Sequence, residues 1–441
     1  EFRRVLFRSS GARTGEDMDR TFHSGNRKRL YEKMKENSLL VLFSGTQVRK
    51  TNDEDYPFYT DRNFLYLTGL DSREFVLAAR KDAGGKVEEC VFILPPDPLQ
   101  ERWTGERLKP EQVAELSGIT DIRENGQFAQ QMHAWAVSGD YAYLYLDLFR
   151  VSPTDRDSPA QRLAAAVREE YPYLRMENAN ILIRSLRTIK QPCEIAAMRE
   201  AEKITRDGIV AMMKASRPGM YEYQYKAEFD YALGQHGPQG PAFPSIISAG
   251  RNNFCIHYYQ YKGQALDGDM MLNDVGAWYD NLMNDVSRGW PCNGKFGEKQ
   301  RLLYECALRT SDYMFAVIGP GMKMADVDKT IRAYNAKMLK EAGVLSRTED
   351  IGTYMWHGGA HHVGYDVHDT VDFAVEETAP GMVFCVDIGI YHEEWGIGFR
   401  LEDNCLVTEN GCENLSAVTP RTVEAIEETM KKGLVSVAGV L

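Results

Sequence analysis

Apolar positions along this chain keep two different periods, and the places where the period changes divide it into elements. From Met18 to about Arg184 the two alternate. NRKRLYEKMKEN carries its apolar residues at helical spacing and is followed by SLLVLFSG, a strand-like run. EFVLAARK, ECVFILPP and YAYLYLDLF read as further strands, while PEQVAELSG, FAQQMHAWAVS and SPAQRLAAAVREE read as helices. Such alternation predicts an α/β domain over residues 18–184. A basic stretch, IRSLRTIKQPCEIAAMRE, then leads into a long helix that Pro and Gly stop at Ser216–Met220.

From residue 185 to 441 the pattern repeats itself. A second long helix, QRLLYECALRTSDYMFAVIGPGM, ends at Gly319–Met322, again on Pro-Gly-Met. Each stop is followed by an acidic helical stretch, YEYQYKAEFDYAL and KMADVDKTIRAYNAKML. Strands echo as well: MMLNDVG (Met270–Gly276) and VFCVDIG (Val383–Gly389) are both apolar runs ending in Asp-x-Gly. Each precedes a second strand bearing an acid, Asp285 in LMNDVSRGW and Glu402 in GIGFRLEDNCLV. A duplicated α+β unit of about 110 residues accounts for this. Its two halves are expected to meet about a pseudo-twofold axis, with their strands in one curved sheet. Asn410-Gly411 marks a hairpin turn. In TPRTVEAIEETMKKG, Thr419 is the expected N-cap of the last helix, with Lys431, Lys432 and Gly433 at its end.

Four acids interrupt these otherwise apolar strands: Asp274, Asp285, Asp387 and Glu402. A buried acid is costly unless paired or bound to a metal. Any one of them alone is best read as a salt-bridged structural residue. Four, placed two by two in duplicated strand pairs, would repel one another unless divalent cations lay between them. HGGAHHVGYDVHD, His357 to Asp369, holds four of the nine histidines and three glycines, too many for a helix. Oxygen ligands with one imidazole suit Mn²⁺, Co²⁺ or Zn²⁺. His362 should face away from His361, because alternate strand residues point to opposite sides. His392, Glu393 and Glu394 are expected to form a solvated loop.

The totals narrow the class. With 43% hydrophobic and 26% charged residues, the composition is that of a globular protein, and no apolar run reaches the roughly 20 residues a membrane helix needs. A net charge of −12 argues against nucleic acid as a partner. None of the eight cysteines forms a C-x-x-C pair, so they are expected to be reduced thiols, mostly in the core, of a cytoplasmic protein. The start, EFRRVLFRSSGARTGED, has no apolar core of signal-peptide length and is expected to be a non-native tail before Met18. Neither G-x-G-x-x-G nor a P-loop occurs in the N-terminal domain, so no nucleotide site is indicated there.

The motifs DVGAWYDNLMNDVSRGWPCNGKF, HGGAHHVGYDVHD, PGMVFCVDIGIY and GFRLEDNCLVT occur in the order found in the pita-bread metallopeptidases. Together with TNDEDYPFYTDRNFLYLTG (Thr51–Gly69), they resemble most closely the aminopeptidase P (Xaa-Pro aminopeptidase) family. The resemblance implies an α+β pita-bread catalytic domain behind an aminopeptidase P-like N-terminal domain. It further implies hydrolysis of an N-terminal Xaa-Pro bond by a hydroxide held between two divalent metal ions, Mn²⁺ first among them. Carried over residue by residue, it makes Asp274, Asp285, His361, Asp387 and Glu402 the ligands, with Asp285 and Glu402 bridging. His257 and His368 would contact the substrate carbonyl and help move a proton, and His357 would line the site. Arg400 and Tyr391 would stand beside the ligands. Asp53 and Trp103 would reach a neighbouring subunit's pocket in a homodimer or homotetramer.

Three departures from the family pattern stand out. Asp387-Ile388 replaces the usual Glu-Pro, Asn273 replaces an apolar residue before Asp274, and DVSRGWP keeps one hydroxyl, Ser287, where the family has two Thr. All five ligand positions nonetheless carry metal-binding side chains, unlike non-metal relatives such as creatinase. Other readings on the same scaffold are a prolidase restricted to dipeptides, a methionine-type aminopeptidase, or a non-catalytic binding protein.

Overall fold

The computed structural model describes residues 18–438, with side chains described to Gly433; the tail expected at residues 1–17 lies outside the described residues. The chain divides into two compact units that meet between Leu186 and Arg187.

The N-terminal unit is built on a six-stranded mixed sheet. Its strands are β1 (Ser38–Phe43), β2 (Val76–Lys81), β3 (Val87–Ile93), β4 (Ile122–Glu124), β5 (Tyr143–Leu146) and β6 (Arg175–Asn178). They lie in the order β4-β3-β2-β1-β5-β6. β1 pairs antiparallel with β2 and parallel with β5, so the sheet is mixed about its centre. Alternate residues Leu39, Val41, Val76, Ala78, Cys90 and Phe92 form one core with Met132 and Trp135 of the helix Phe128–Val137. Three helices are absent from the sequence reading: Arg62–Thr68, Pro98–Thr104 and Ala179–Arg187, the last running into the basic stretch. Every residue of the first is buried and none of the second is, so neither of these two has a one-sided apolar stripe to betray it.

The second unit carries the duplicated halves. Its first long helix, Pro192–Ala215, starts with Pro in its first turn and is followed by Glu222–Gly234. The corresponding pair is Glu298–Val317 and Met324–Glu341. The strands are β7 (Ile246–Ala249), β8 (Met270–Val275), β9 (Trp278–Tyr279), β10 (Leu282–Met283), β11 (Val286–Pro291), β12 (Val383–His392), β13 (Ile397–Thr408) and β14 (Gly411–Asn414). Instead of one curved sheet they form two antiparallel three-stranded sheets, β11-β8-β7 and β12-β13-β14, and a small β10-β9 ribbon. Side chains join the two sheets: Arg288 Nη1 donates to the Glu402 carbonyl at 2.8 Å, and Asn404 Nδ2 donates to that of Asp285. The apolar faces of both sheets and the four helices share one core, from Ile209 and Phe229 through Trp290 and Leu303 to Val386 and Phe399.

The last helix differs from its expected limits. It runs Val423–Ala438, and Thr422 rather than Thr419 caps it, accepting the Ala425 N–H at 3.2 Å. Thr419 instead closes a 3₁₀ turn, its N–H donating to Ser416 at 3.0 Å. Gly433 does not end the helix. A Cβ there would collide with the backbone of Lys214, so glycine permits a close approach to the first long helix. No described helix is long and apolar enough to cross a membrane.

Candidate metal centre

The four strand acids converge. Asp274 lies on β8 opposite Ser287 of β11, and Asp387 on β12 lies directly opposite Glu402 of β13. Asp285 comes just before β11, where Asn284 breaks the ladder: its side-chain oxygen accepts the Ala277 N–H at 2.8 Å. All four are buried, none more than 8% exposed. One oxygen of each has no hydrogen-bond partner: Oδ1 of Asp274, Asp285 and Asp387, and Oε1 of Glu402. Oxygens of Asp274, Asp285 and Glu402 all lie within 4.8 Å of one another. Such acceptors facing one another in a buried site are what a hard divalent cation requires.

The histidine run reaches this cluster from the side. It is irregular chain pinned along β12 by main-chain bonds, Cys385 N–H to His361 at 2.8 Å and Asp387 N–H to Gly359 at 2.9 Å. His361 Nε2 consequently lies 3.5 Å from Asp285 and 3.6 Å from Glu402. His368 is exposed and stacks on His361, with ring centres 4.0 Å apart. A nitrogen of His368 also comes within ligand reach of Asp285 and His361. His362 packs edge-on against Phe384, on the other side of β12. His357 stands 3.1 Å from Asp387 and 3.0 Å from the Tyr391 hydroxyl. Gly389 makes room for it, because a Cβ there would occupy the place of the His357 ring.

Arg400 ties these parts together. Its guanidinium, 2% exposed, donates to Asp274 Oδ2 at 2.7 Å, to the Tyr391 hydroxyl at 3.0 Å and to the Ile256 carbonyl at 3.2 Å. The last bond holds the loop bearing His257, which is exposed and stacks on Tyr259. Asp53 and Trp103 belong to the N-terminal unit and are exposed, Trp103 by 83%. His392, expected in solvent, is 4% exposed and lies between the rings of Tyr354 and Trp395; Glu393 and Glu394 are exposed as expected.

The electrostatics are those of an acid cluster short of positive charge. Burial raises the Asp274 carboxyl, but Arg400, together with Asp285 and Ser287, holds the group below its usual range. Asp285 is pushed well up, by burial and then by the charges of Glu402 and Asp274. Glu402 rises through burial and the charge of Asp387. Burial lowers His361, yet the Glu402 carboxylate 3.6 Å away leaves the ring above its ordinary value. His368, exposed as a residue but with its ring partly desolvated against the site, is depressed to about 4 by that desolvation and by His361 and His257.

Comparison with known proteins decides the family. Residues 196–409 match the model for metallopeptidase family M24, and residues 23–145 match that for the aminopeptidase P N-terminal domain. The Xaa-Pro aminopeptidase of Haemophilus influenzae is 30% identical over 423 residues, covering 92% of this chain and 96% of that protein. The Escherichia coli Xaa-Pro aminopeptidase is 28% identical over 430 residues, with the same coverage. A Bacillus anthracis structure assigned to aminopeptidase P superposes with a TM-score of 0.92 at 33% identity, covering 94% of this chain and 99% of that one. The E. coli aminopeptidase P with the inhibitor Pro-Leu gives 0.87 at 26%, covering 95% of this chain and 100% of that one.

This chain belongs to the aminopeptidase P family. It has the pita-bread α+β fold of that family and is a metal-dependent aminopeptidase, a hydrolase. Two features of the site are not foreseen by the sequence. Cys385 shares the site-facing side of β12 with Asp387, and its sulfur accepts the His361 N–H at 3.2 Å. Strand alternation from Asp387 could have revealed it. The second is a buried ion cluster under the histidine run. Lys190 donates to Asp369 at 2.6 Å, and Arg187 donates to Asp369 and, at 2.8 Å, to Asp366. The basic stretch before the long helix was visible, but nothing in the sequence pairs it with residues so far away.

Proposed function

We propose that this aminopeptidase releases the first residue of peptides with proline in second position, using two divalent cations, Mn²⁺ in the first instance and Co²⁺ or Zn²⁺ as alternatives. The observation that carries the reading is the set of four buried carboxylates, each with an unpartnered oxygen, gathered around His361. Asp274, Asp285, His361, Asp387 and Glu402 would hold the cations. When bound, the metals supply Lewis acidity and make water nucleophilic near neutral pH.

The remaining residues act on the peptide and its protons. His257 and His368, on the open side, would hold the carbonyl of the first residue. Water adds to that carbonyl. Glu402 or His368 would take the proton released and return it to the proline nitrogen as the C–N bond breaks. A Xaa-Pro bond has no N–H, so the pocket need offer no acceptor there. Arg400 would fix Asp274 and Tyr391, and His357 would fix Asp387. Asp53 and Trp103 are assigned to the pocket of a neighbouring copy in a homodimer or homotetramer, a reading that sedimentation of the intact protein checks.

The test compares Xaa-Pro dipeptides with longer Xaa-Pro peptides in Mn²⁺, Co²⁺ and Zn²⁺. Release of the first residue from the longer peptides is expected. Cleavage of dipeptides alone would make the chain a dipeptidase. No cleavage of an Arg-Pro-Pro-type peptide with Mn²⁺, together with no retained metal, would point to a binding protein.

A further inference from the structure

We propose that Cys385 is itself a metal ligand, and that the corner it shares with His361 and Glu402 takes a thiophilic divalent cation such as Co²⁺, Zn²⁺ or Cd²⁺. The inference rests on the reading of this cluster as a metal centre and adds a sulfur that the carboxylate set does not contain.

Three observations place the sulfur. Cys385 and Asp387 are alternate residues of β12 and face the same way; across the ladder Asp387 pairs with Glu402 and Cys385 with Asn404. The sulfur therefore lies one pleat along from the two acids. The backbone of His361 is held on both sides by this residue, its carbonyl accepting the Cys385 N–H at 2.8 Å and its N–H donating to Sγ at 3.2 Å. The histidine and the thiol thus move as one piece. Finally, a ring nitrogen of His361, Sγ of Cys385 and a carboxylate oxygen of Glu402 all lie within 4.8 Å of one another. Glu402 is 2% exposed, and its Oε1 has no hydrogen-bond partner.

An ordinary core cysteine packs among apolar side chains and serves as a small hydrophobe. Cys385, with no exposed surface, instead borders the acid cluster. The centre consequently offers two kinds of ligand set that share Glu402. Asp274, Asp285 and Glu402 supply only oxygen, which suits Mn²⁺. His361, Cys385 and Glu402 supply nitrogen, sulfur and oxygen, which suits softer ions and leaves a fourth position open. Binding there exchanges the thiol proton for the metal–sulfur bond and releases that proton to solvent. A soft ion in this corner competes with Mn²⁺ for Glu402.

Cobalt reports both events in one spectrum. Full-length protein stripped by chelation and titrated with Co²⁺ should develop visible d–d bands and, with the same stoichiometry, a thiolate-to-cobalt charge-transfer band in the near ultraviolet. Cys385→Ser should keep the d–d bands and lose the charge-transfer band, while Cys255→Ser, which removes the exposed thiol, should keep both. Cd²⁺ affinity should fall roughly tenfold or more in Cys385→Ser, with Mn²⁺ affinity within about twofold of wild type. Wild-type protein that binds cobalt without charge transfer overturns the proposal and leaves the metal centre standing. A band that persists in Cys385→Ser does the same. Protein that binds no cobalt overturns both. The wild-type spectrum decides even if the variant folds poorly, and Cys385→Ala provides a second substitution.

Discussion

Two groups of buried acids in the same unit are treated in opposite ways. Asp369 and Asp403 have fully buried side chains, and each meets two cations. Asp369 is paired with Lys190 and Arg187; Asp403 lies 2.6 Å from Arg288 and 3.2 Å from Arg421. Both carboxyls are held below their usual range, because these cations outweigh the effect of burial. Asp274, Asp285, Asp387 and Glu402 are buried almost as deeply, yet Arg400 is the one arginine or lysine paired with their carboxylates among the described residues, and it serves Asp274. Desolvation is costly for both groups. In the first it is offset by protein cations, in the second it is left outstanding, and the missing positive charge is the metal's. Burial and acidity alone do not separate a structural acid from a ligand; the count of cations within bonding distance does.

The largest effects should come from removing one acid of the outstanding group. Glu402→Gln should lower kcat/KM for a Xaa-Pro peptide by roughly 10³-fold or more, because the group serves the metals and the proton alike. In chelator, however, the same variant should melt higher than wild type, since a repelling charge is gone. Added Mn²⁺ should stabilise wild type by ~4 kcal/mol at a thousandfold excess over its Kd, and the variant far less. A variant that melts lower than wild type in chelator would mean that the four acids are mutually satisfied without metal, and the comparison would collapse.

Asp369→Asn tests the other side. It leaves Arg187 and Lys190 buried without their shared acid, although Arg187 retains Asp366. Breaking a buried pair in this way costs about 3–5 kcal/mol. Urea unfolding with and without Mn²⁺ should show a loss that metal does not restore. The Asp369 N–H donates to the His362 carbonyl at 2.8 Å, so the histidine run should loosen as well, seen as weaker metal binding. A loss under about 1 kcal/mol would show that the paired cluster is not structural.

Glu202, on the first long helix, shows a third solution. It is 1% exposed, neither of its carboxyl oxygens has a hydrogen-bond partner, and burial pushes the carboxyl to about 8 although Asn284 and Ser416 oppose the shift. Here the compensating charge is its own proton. The sign follows from linkage. Between the ordinary value of 4.5 and about 8 the folded state holds a proton that the unfolded state has lost. Stability therefore falls as pH rises through that window, by up to about 1.4 kcal/mol per pH unit from this group. Glu202→Gln should remove that slope and be close to neutral at the acid end. Denaturant midpoints from pH 5 to 8 check this, and an unchanged slope would place the effect elsewhere.

How much of this was legible in the sequence follows from range. The repeated Pro-Gly-Met stops and Asp-x-Gly strands are local patterns, and the helices and strands they announce stand within a few residues of their expected limits. The four acids were legible because an acid in an apolar run is anomalous wherever it lies. Cation partners were not: Arg187 meets Asp369, and Arg288 meets Asp403, across more than a hundred residues of chain. His392 misled for a similar reason. Its neighbours Glu393 and Glu394 are exposed, and only the fold brings Tyr354 and Trp395 to its two faces. The joining of the sheets by side chains instead of a ladder is likewise invisible in a pattern that records only which face each residue takes.

The smallest effect concerns the acid that departs from the family pattern. Asp387 is one methylene shorter than Glu, and its place on β12 is fixed by its N–H bond to Gly359 at 2.9 Å. His357, 3.1 Å away, already draws on one of its oxygens, leaving Oδ1 for a metal. Asp387→Glu would carry the carboxylate further into the cluster, towards Glu402 opposite, without altering the strand. Mn²⁺ affinity, measured by calorimetry on stripped protein, should therefore be maintained or rise, by no more than roughly tenfold. A clear loss would mean that β12 and the segment Gly359–His361 have closed in to suit the shorter acid. The outstanding group would then be as closely fitted to its metal as Asp369 is to Lys190.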